Sequence, residues 1–377
     1  MRGAGLRSPG RPVVIAAGGT GGHFFPAEAL AAELVARGHV VALMTDARGG
    51  AGSSAVFQGR EVIVLRGAGL AGRGRRAVGA AMALAAGTAA ARGHLQRLNP
   101  AVLVGFGGYP CVAPVLATRT LRRGPAVLLH EQNAVLGRAN RVLSRFADQL
   151  LLGMDSTQRL PATPHTVVGN PVRPAILAAA KPYAPPSGTI ELLVTGGSQG
   201  ARAFAAVPGA IALLPTALRG RLHVTQQCRA EDLDGVRAAY AALGVPATLS
   251  PFFADMAGLL ASAHLVLARA GASTVAELCA MGRPAVLVPL PGAIDGHQLA
   301  NARASGATVL EQSAWERDPA ALAHALTTAL DPAALVTTAA RLAAHARPDA
   351  AQRLADHIEL HIDLHMEHAG EPHRMPA

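Results

Sequence analysis

The side chains best able to do chemistry in this 377-residue chain stand in or beside glycine-rich runs. Thr20 and His23 belong to Gly18-Gly19-Thr20-Gly21-Gly22-His23, and Tyr109 closes Gly105-Phe106-Gly107-Gly108. Ser198 lies in Gly196-Gly197-Ser198-Gln199-Gly200, while Ser273, Thr274 and Glu277 follow Arg269-Ala270-Gly271-Ala272. Such turns present bare backbone N–H groups, and a helix N-terminus behind them favours an anion. Arg173, in Asn170-Pro171-Val172-Arg173, has the planar fork that clamps a diphosphate. Glu277 falls one turn into its helix, where a carboxylate can accept from a ribose diol. Asp295, His297, Gln298 and Asn301 can reach sugar hydroxyls. His23 is the best-placed general base, a role histidine fills near neutral pH.

Each of these features has a plainer reading when taken alone. A glycine turn can join strand to helix without a ligand, Arg173 can be a surface cation, and Glu277 can simply complement a helix dipole. The first turn is no dinucleotide fingerprint, because the third glycine would fall on Phe24. It is no P-loop either, since no lysine follows. The single D-x-D, Asp232-Leu233-Asp234, sits at the polar start of a helix, where first-turn acids are favourable without metal. His357, His361, His365 and His368 share one face of the last helix, and an incidental arrangement outweighs a metal site there.

Alternating strand and helix patterns must position these groups. Strands are predicted at 13–15, 40–45, 62–65, 101–105, 126–130, 149–152 and 166–168, with helices at 28–37, up to 98, and at 113–122. Five prolines between Pro171 and Pro186 mark a linker. The pattern then restarts with strands at 190–195, 222–225, 247–249, 265–268, 285–289 and 307–310, and helices at 202–214, 231–240, 319–331, 335–347 and 350–368. The expected fold is α/β: two doubly wound, Rossmann-like parallel sheets facing across a cleft, with ligands at the carboxyl ends of the strands.

Half the residues are apolar and only 3% are aromatic, so the cores must be built from Ala, Val and Leu. The net charge of +10 is uneven. Residues 1–180 carry a balance of +13 and residues 181–377 one of −3. A basic first half fits an anionic membrane surface or a polyphosphate. Nucleic acid is disfavoured because stacking aromatics are scarce. Cys111, Cys228 and Cys279 have no metal or redox spacing, which suits a reducing compartment. The basic N-terminus has no apolar run after it and does not read as a signal peptide.

GGTGGH, GFGGYP, HEQN, VGNPVR, GGSQGA, RAGASTVAE and DGHQLANA occur in that order. As an ordered set, from residue 13 to about 345, they resemble the MurG family of peptidoglycan N-acetylglucosaminyltransferases, which have the GT-B fold. The resemblance implies an acceptor-binding, membrane-associating domain at 11–175 and a UDP-GlcNAc-binding domain at 187–346. A C-terminal helix at 347–368 and a tail at 369–377 would follow. It implies an inverting transfer of GlcNAc from UDP-GlcNAc to the MurNAc C4 hydroxyl of undecaprenyl-pyrophosphoryl-MurNAc-pentapeptide, on the cytoplasmic side of the cell membrane. No cofactor and no metal are implied. His23 would be the base, with Glu131 a second catalytic residue. Thr20, Gly21, Gly22, Asn133, Arg173, Ser198, Phe253, Ala272, Ser273, Thr274, Glu277 and Gln298 would bind substrate. Gly19, Gly107, Gly108 and Tyr109 would hold the acceptor pyrophosphate, and a basic loop with Arg73, Arg75 and Arg76 would meet anionic lipid. His297 stands where a Gln is common in the family. Other readings are a different UDP-sugar transferase of this fold, a UDP-GlcNAc 2-epimerase, a dinucleotide oxidoreductase using Asp46, or a non-catalytic UDP-sugar-binding subunit. The scarcity of carboxylates argues against the epimerase, and the missing glycine against the oxidoreductase.

Overall fold

Short Val- and Leu-rich runs bounded by glycine, alternating with Ala-rich segments, form strands that are buried on both faces. A computed structural model describes residues 11–18, 21–47, 54–65, 75–197 and 200–370; the side chains of 75–77 and 366–370 are outside that description. Gly19, Thr20, Ser198 and Arg73 therefore lie outside the described residues, as do the side chains of Arg75 and Arg76.

The first sheet contains β1 (Val13–Ala16), β2 (Val41–Thr45), β3 (Val62–Val64), β4 (Val102–Gly105), β5 (Ala126–Glu131), β6 (Gln149–Leu152) and β7 (His165–Val167), in the order β3-β2-β1-β4-β5-β6-β7. The second contains β8 (Ile190–Thr195), β9 (Leu222–Gln227), β10 (Ala247–Ser250), β11 (Leu265–Ala268), β12 (Ala285–Leu287) and β13 (Thr308–Val309), in the order β10-β9-β8-β11-β12-β13. Every pairing is parallel.

Both sheets reverse their strand order at one place, between β1 and β4 and between β8 and β11. Ala16 is in register with Gly105, and Thr195 with Ala268. The glycine turns that follow these strands are thus brought together in pairs at the two switch points, where open α/β sheets bind ligands.

The chain forms two compact units, one of 1–132, 136–171 and 349–377, the other of 133–135 and 172–348. In the first unit, the helix Gly21–Ala36 packs Phe24, Leu30 and Leu34 on one face of the sheet, and Leu95, Val115 and Leu136 cover the other. The second unit is built around Val194, Phe204, Val224 and Leu267.

The last helix, Ala350–Gly370, which the sequence reading set apart, joins the first unit through Leu354, Ala355 and Ile358. Arg37 ties it down by donating to Asp356 at 2.6 Å and Glu359 at 2.9 Å, and His39 Nε2 lies 2.8 Å from Glu359. Two of its four histidines also find partners in this unit: His361 Nε2 lies 3.1 Å from the Gln149 side-chain oxygen, and His365 Nε2 donates to the Gly124 carbonyl at 3.0 Å. Among the described residues, no group of three metal-ligating side chains converges.

Two helices depart from expectation. The first begins at Gly21 rather than near residue 28, so His23 and Pro26 lie inside it. Pro26 removes only one early bond, and the burial of Phe24, Pro26 and Ala27 outweighs the poor helix propensity of the glycines. The helix expected at 202–214 is a 3-10 turn, Arg202–Ala206, followed by a helix, Val207–Ala212, restarted by Pro208.

Candidate active site

In the first unit, the helix that follows β1 contains Gly21, Gly22 and His23 in its first turn. The turn after β4 faces it. Gly107 and Gly108 have φ of +81° and +71°, values that favour glycine. A Cβ on Gly108 would lie 3.4 Å from His23 Cδ2 and Nε2, an ordinary contact, so the turn runs beside the imidazole and its positive φ is what calls for glycine there. Tyr109 donates its hydroxyl to the buried Asp46 at 2.5 Å. Below the turn, Cys111 donates to the carbonyls of Ala16 and Gly107, both at 3.0 Å, and burial pushes its thiol up to about 12. This sulfur braces two loops as a thiol and is no nucleophile.

Behind His23 runs a line of buried polar groups from the end of β5. His23 Nδ1 lies 2.9 Å from Gln132 Oε1. Gln132 Nε2 lies 3.0 Å from His130 Nδ1 and donates to the His130 carbonyl at 3.1 Å. His130 Nε2 lies 2.9 Å from the Gly169 carbonyl. His130 has no solvent exposure and Gln132 is 1% exposed. Burial pulls His130 down to about 4, against the opposing pull of the Gly169 bond, so it is neutral at physiological pH. Asn170 donates to the Gln132 carbonyl at 2.9 Å and fixes that backbone.

Successive strand residues point to opposite faces, and Glu131 is turned away from His130 accordingly. Its carboxylate accepts from the Gly137 N–H at 2.8 Å and from Asn140 Nδ2 at 2.9 Å. Glu131, expected as a second catalytic residue, thus has its carboxylate hydrogen-bonded to the start of the next helix. Glu131 anchors the turn that opens the helix Arg138–Leu143.

The second unit answers with backbone and one ion pair. Gly196 and Gly197 follow β8, and a Cβ on Gly196 would collide with the backbone at Gly200 and Ala201. Gln227, at the end of β9, accepts from Thr195 Oγ1 at 3.0 Å and from the Gly196 N–H at 3.2 Å. The same amide donates to the Pro251 carbonyl at 3.3 Å. It thus links the β8 turn to the segment carrying Phe253, which is half-buried beside an exposed Phe252. The sequence reading missed Gln227; its place at a strand end beside the switch point was the available signal.

The helix Ala272–Met281 begins after Gly271 and ends at Gly282, whose φ of +56° is the usual left-handed cap. The N–H groups of Ala272, Ser273 and Thr274 lie in its first turn, which has no carbonyls ahead of it within the helix. Arg173 and Glu277 meet each other: Arg173 Nε and Nη2 donate to one oxygen of Glu277 at 3.1 and 2.8 Å. Burial pushes the Glu277 carboxyl up, and Arg173 opposes that shift. The diphosphate and diol ligands expected from sequence are thus one coupled pair.

Gln298 accepts from the Leu290 N–H at 2.9 Å and closes the loop in which Asp295 takes a φ of +55°. Asn301, fully buried, donates to Asn133 Oδ1 and to the Ala270 carbonyl, each at 3.1 Å, and accepts from the Ala134 N–H at 2.8 Å. It holds Asn133 beside the start of the 272–281 helix.

These two switch-point constellations agree with the chain's relatives. The glycosyltransferase family 28 N-terminal domain matches residues 13–152, and the family 28 C-terminal domain matches 191–354. Two UDP-N-acetylglucosamine–N-acetylmuramyl-(pentapeptide) pyrophosphoryl-undecaprenol N-acetylglucosamine transferases resemble the chain over nearly their full length. The one from Granulibacter bethesdensis is 56% identical, with 93% of each chain covered. That from Acidiphilium cryptum is 53% identical over 94% of this chain and 97% of the relative. The crystal structure of Acinetobacter baumannii MurG superposes with a TM-score of 0.75 at 31% identity, covering 93% of this chain and all of that one. The chain is a GT-B glycosyltransferase and belongs to the MurG family.

Proposed function

We propose that this protein transfers GlcNAc from UDP-GlcNAc to the C4 hydroxyl of the MurNAc in undecaprenyl-pyrophosphoryl-MurNAc-pentapeptide, with inversion and release of UDP. Kinship to enzymes named for this reaction, along almost the whole chain, carries the proposal. The geometry supplies the parts. His23 Nε2 takes the proton of the C4 hydroxyl as its oxygen bonds to the anomeric carbon. The bond from that carbon to the UDP oxygen breaks on the opposite face, and the electron pair leaves with UDP. An alcohol loses its proton reluctantly, so a positioned base is worth roughly 10²- to 10⁴-fold.

Charge growing on UDP is met by the N-terminus of the helix Ala272–Met281, by the turn at 196–200 and by Arg173. Glu277 accepts from the ribose, the Phe253 backbone flanks the uracil, and Gln298 and Asn133 read the sugar. The acceptor pyrophosphate lies on the N–H groups of Gly21 and Gly22 and on the turn at 107–109. The decisive assay incubates the protein with labelled UDP-GlcNAc and a lipid I analogue without added metal. Labelled lipid product is expected, and its absence with both substrates saturating would sink the proposal.

The acceptor is membrane-borne, so the first unit must reach a lipid surface. Val78 and Met82, 62% and 69% exposed on the helix Arg75–Leu98, offer an apolar face next to the basic 73–76 segment. That pairing supports docking on the anionic cytoplasmic leaflet. Among the described residues, no single helix is long and apolar enough to cross a membrane. Co-sedimentation with liposomes should rise with anionic lipid content and fall when Arg73, Arg75 and Arg76 are replaced by alanine.

A further inference from the structure

The buried line behind His23 has only one hydrogen-bonding pattern that satisfies every member. A backbone carbonyl only accepts, so His130 Nε2 must carry the proton it gives to Gly169. Neutral His130 then has a bare lone pair on Nδ1, which must accept. The group facing it is the Gln132 amide, which also faces the His130 carbonyl, another pure acceptor. Two acceptors on one side demand the NH2 of Gln132 there, so the amide cannot flip. Its oxygen is left facing His23 Nδ1 and can only accept.

We infer that Gln132 and His130 are positioning residues that impose the Nδ1–H tautomer on His23, so that its Nε2 lone pair is the one presented to the acceptor hydroxyl. The information originates at the Gly169 carbonyl and passes through two buried side chains, with no charge and no net proton movement. A histidine side chain in water favours the opposite tautomer, with hydrogen on Nε2, which would turn a donor toward the hydroxyl and block the base. Gly108 runs beside the Cδ2–Nε2 edge of His23, where a Cβ would come within 3.4 Å of both atoms. Asn170 fixes the backbone of Gln132, and Phe106, with its ring centroid 5.2 Å from that of His130, packs against the distal imidazole. This inference rests on His23 being the base.

The direct test is the ¹⁵N spectrum of histidine-labelled protein at neutral pH. The chain has 15 histidines, so the His23 nitrogens are assigned by their loss in His23→Asn. The wild type should show a pyrrole-like Nδ1 and a pyridine-like Nε2. The reverse pattern overturns the inference without any further variant. Gln132→Leu should shift His23 toward Nε2–H and lower kcat about 10- to 100-fold, the scale of losing an outer partner that orients a histidine. KM for UDP-GlcNAc should stay within about twofold, because the donor site lies in the second unit.

His130→Leu removes one of the two acceptors for the Gln132 amide, leaving only the backbone carbonyl of residue 130, and should act in the same direction with a smaller loss of kcat than Gln132→Leu. His130→Gln keeps a donor for Gly169 and an acceptor for Gln132, and should restore most of kcat together with the wild-type ¹⁵N pattern. A merely structural role for His130 would leave the tautomer unmoved in His130→Leu and gain nothing from His130→Gln; that result rejects the relay. The base assignment fails separately, if His23→Ala turns over at the wild-type rate whatever the spectra show.

Discussion

Both units end their first strand in the same device, a glycine turn running into helical structure at a switch point, yet they furnish it differently. In the first unit, the helix starts within the turn and carries an imidazole in its opening residues, backed by a file of neutral, fully buried side chains. In the second, the turn is closed by backbone contacts and a glutamine, and the charged pair Arg173–Glu277 stands beside the neighbouring helix. On the proposed function, the first arrangement would fix where a proton goes, and the second would offer N–H dipoles and the Arg173 cation to an anion that is already ionised. Nearly identical topologies would then divide acid–base chemistry from charge stabilisation through a few side chains near the strand ends.

Four experiments break or sharpen this contrast. Ending the chain after Pro348 should have the largest effect, confined to the first unit. It removes the buried Leu354, Ala355 and Ile358; the two large side chains alone are worth about 3–6 kcal/mol together, a large fraction of the stability of a domain. Differential scanning calorimetry should lose the transition of the first unit while UDP still binds; two intact transitions would contradict the packing. His23→Ala should come next, lowering kcat about 10²- to 10⁴-fold with UDP affinity unchanged. A parallel loss of UDP binding, measured by calorimetric titration, would mean that the two roles are not divided as described.

Arg173→Met tests the charged pair. It leaves the Glu277 carboxylate without its counter-ion and should cost the second unit about 1–3 kcal/mol at pH 8. Burial already raises the Glu277 carboxyl, so its folded pKa exceeds its unfolded one and the penalty belongs to the ionised form. The deficit should therefore shrink as pH falls through the folded pKa toward the ordinary carboxylate range, as urea titrations at several pH values would reveal; a constant deficit would rule out the carboxylate as its source. The smallest effect belongs to Gly22→Ala. A Cβ there meets nothing within 4 Å inside a helix, so stability should rise by about 0.5–1 kcal/mol. Transfer should nonetheless slow, with KM for the acceptor rising, if that glycine serves a ligand; unchanged KM would return it to the ordinary helix.

Much of this frame was legible in the sequence. The strands at 149–152, 190–195 and 265–268 were read to the residue, because short apolar runs bounded by glycine or polar residues leave little choice. The pairing of turns at two switch points follows from strand order once the alternation is recognised. What stayed hidden depends on long-range contacts. His130 reads as one more motif residue until the carbonyl of Gly169, 39 residues away, is seen to set its tautomer. The first-turn position of His23 was obscured by glycines that propensity assigns to a loop, and the mutual bond of Arg173 and Glu277 spans 104 residues. Glu131 was legible in part, since strand alternation puts it opposite His130. The sequence leaves the docking of the last helix open, because its buried stripe includes Leu354 and Ala355, which lie N-terminal to the apolar residues 358–364 that show no clean periodicity.

That last helix has a consequence for how the protein is made. The first unit begins the chain and also ends it, with the second inserted between residues 171 and 349. On the ribosome, the seven strands of the first sheet precede the second unit, whereas Leu354, Ala355 and Ile358, which pack with Phe24, Leu30 and Leu34 on one face of that sheet, follow it. The second unit, contiguous from Val172 to Pro348 apart from a short segment near residue 134, is synthesised before those residues. The half of the molecule translated first therefore gains part of its core only after the other half has been made.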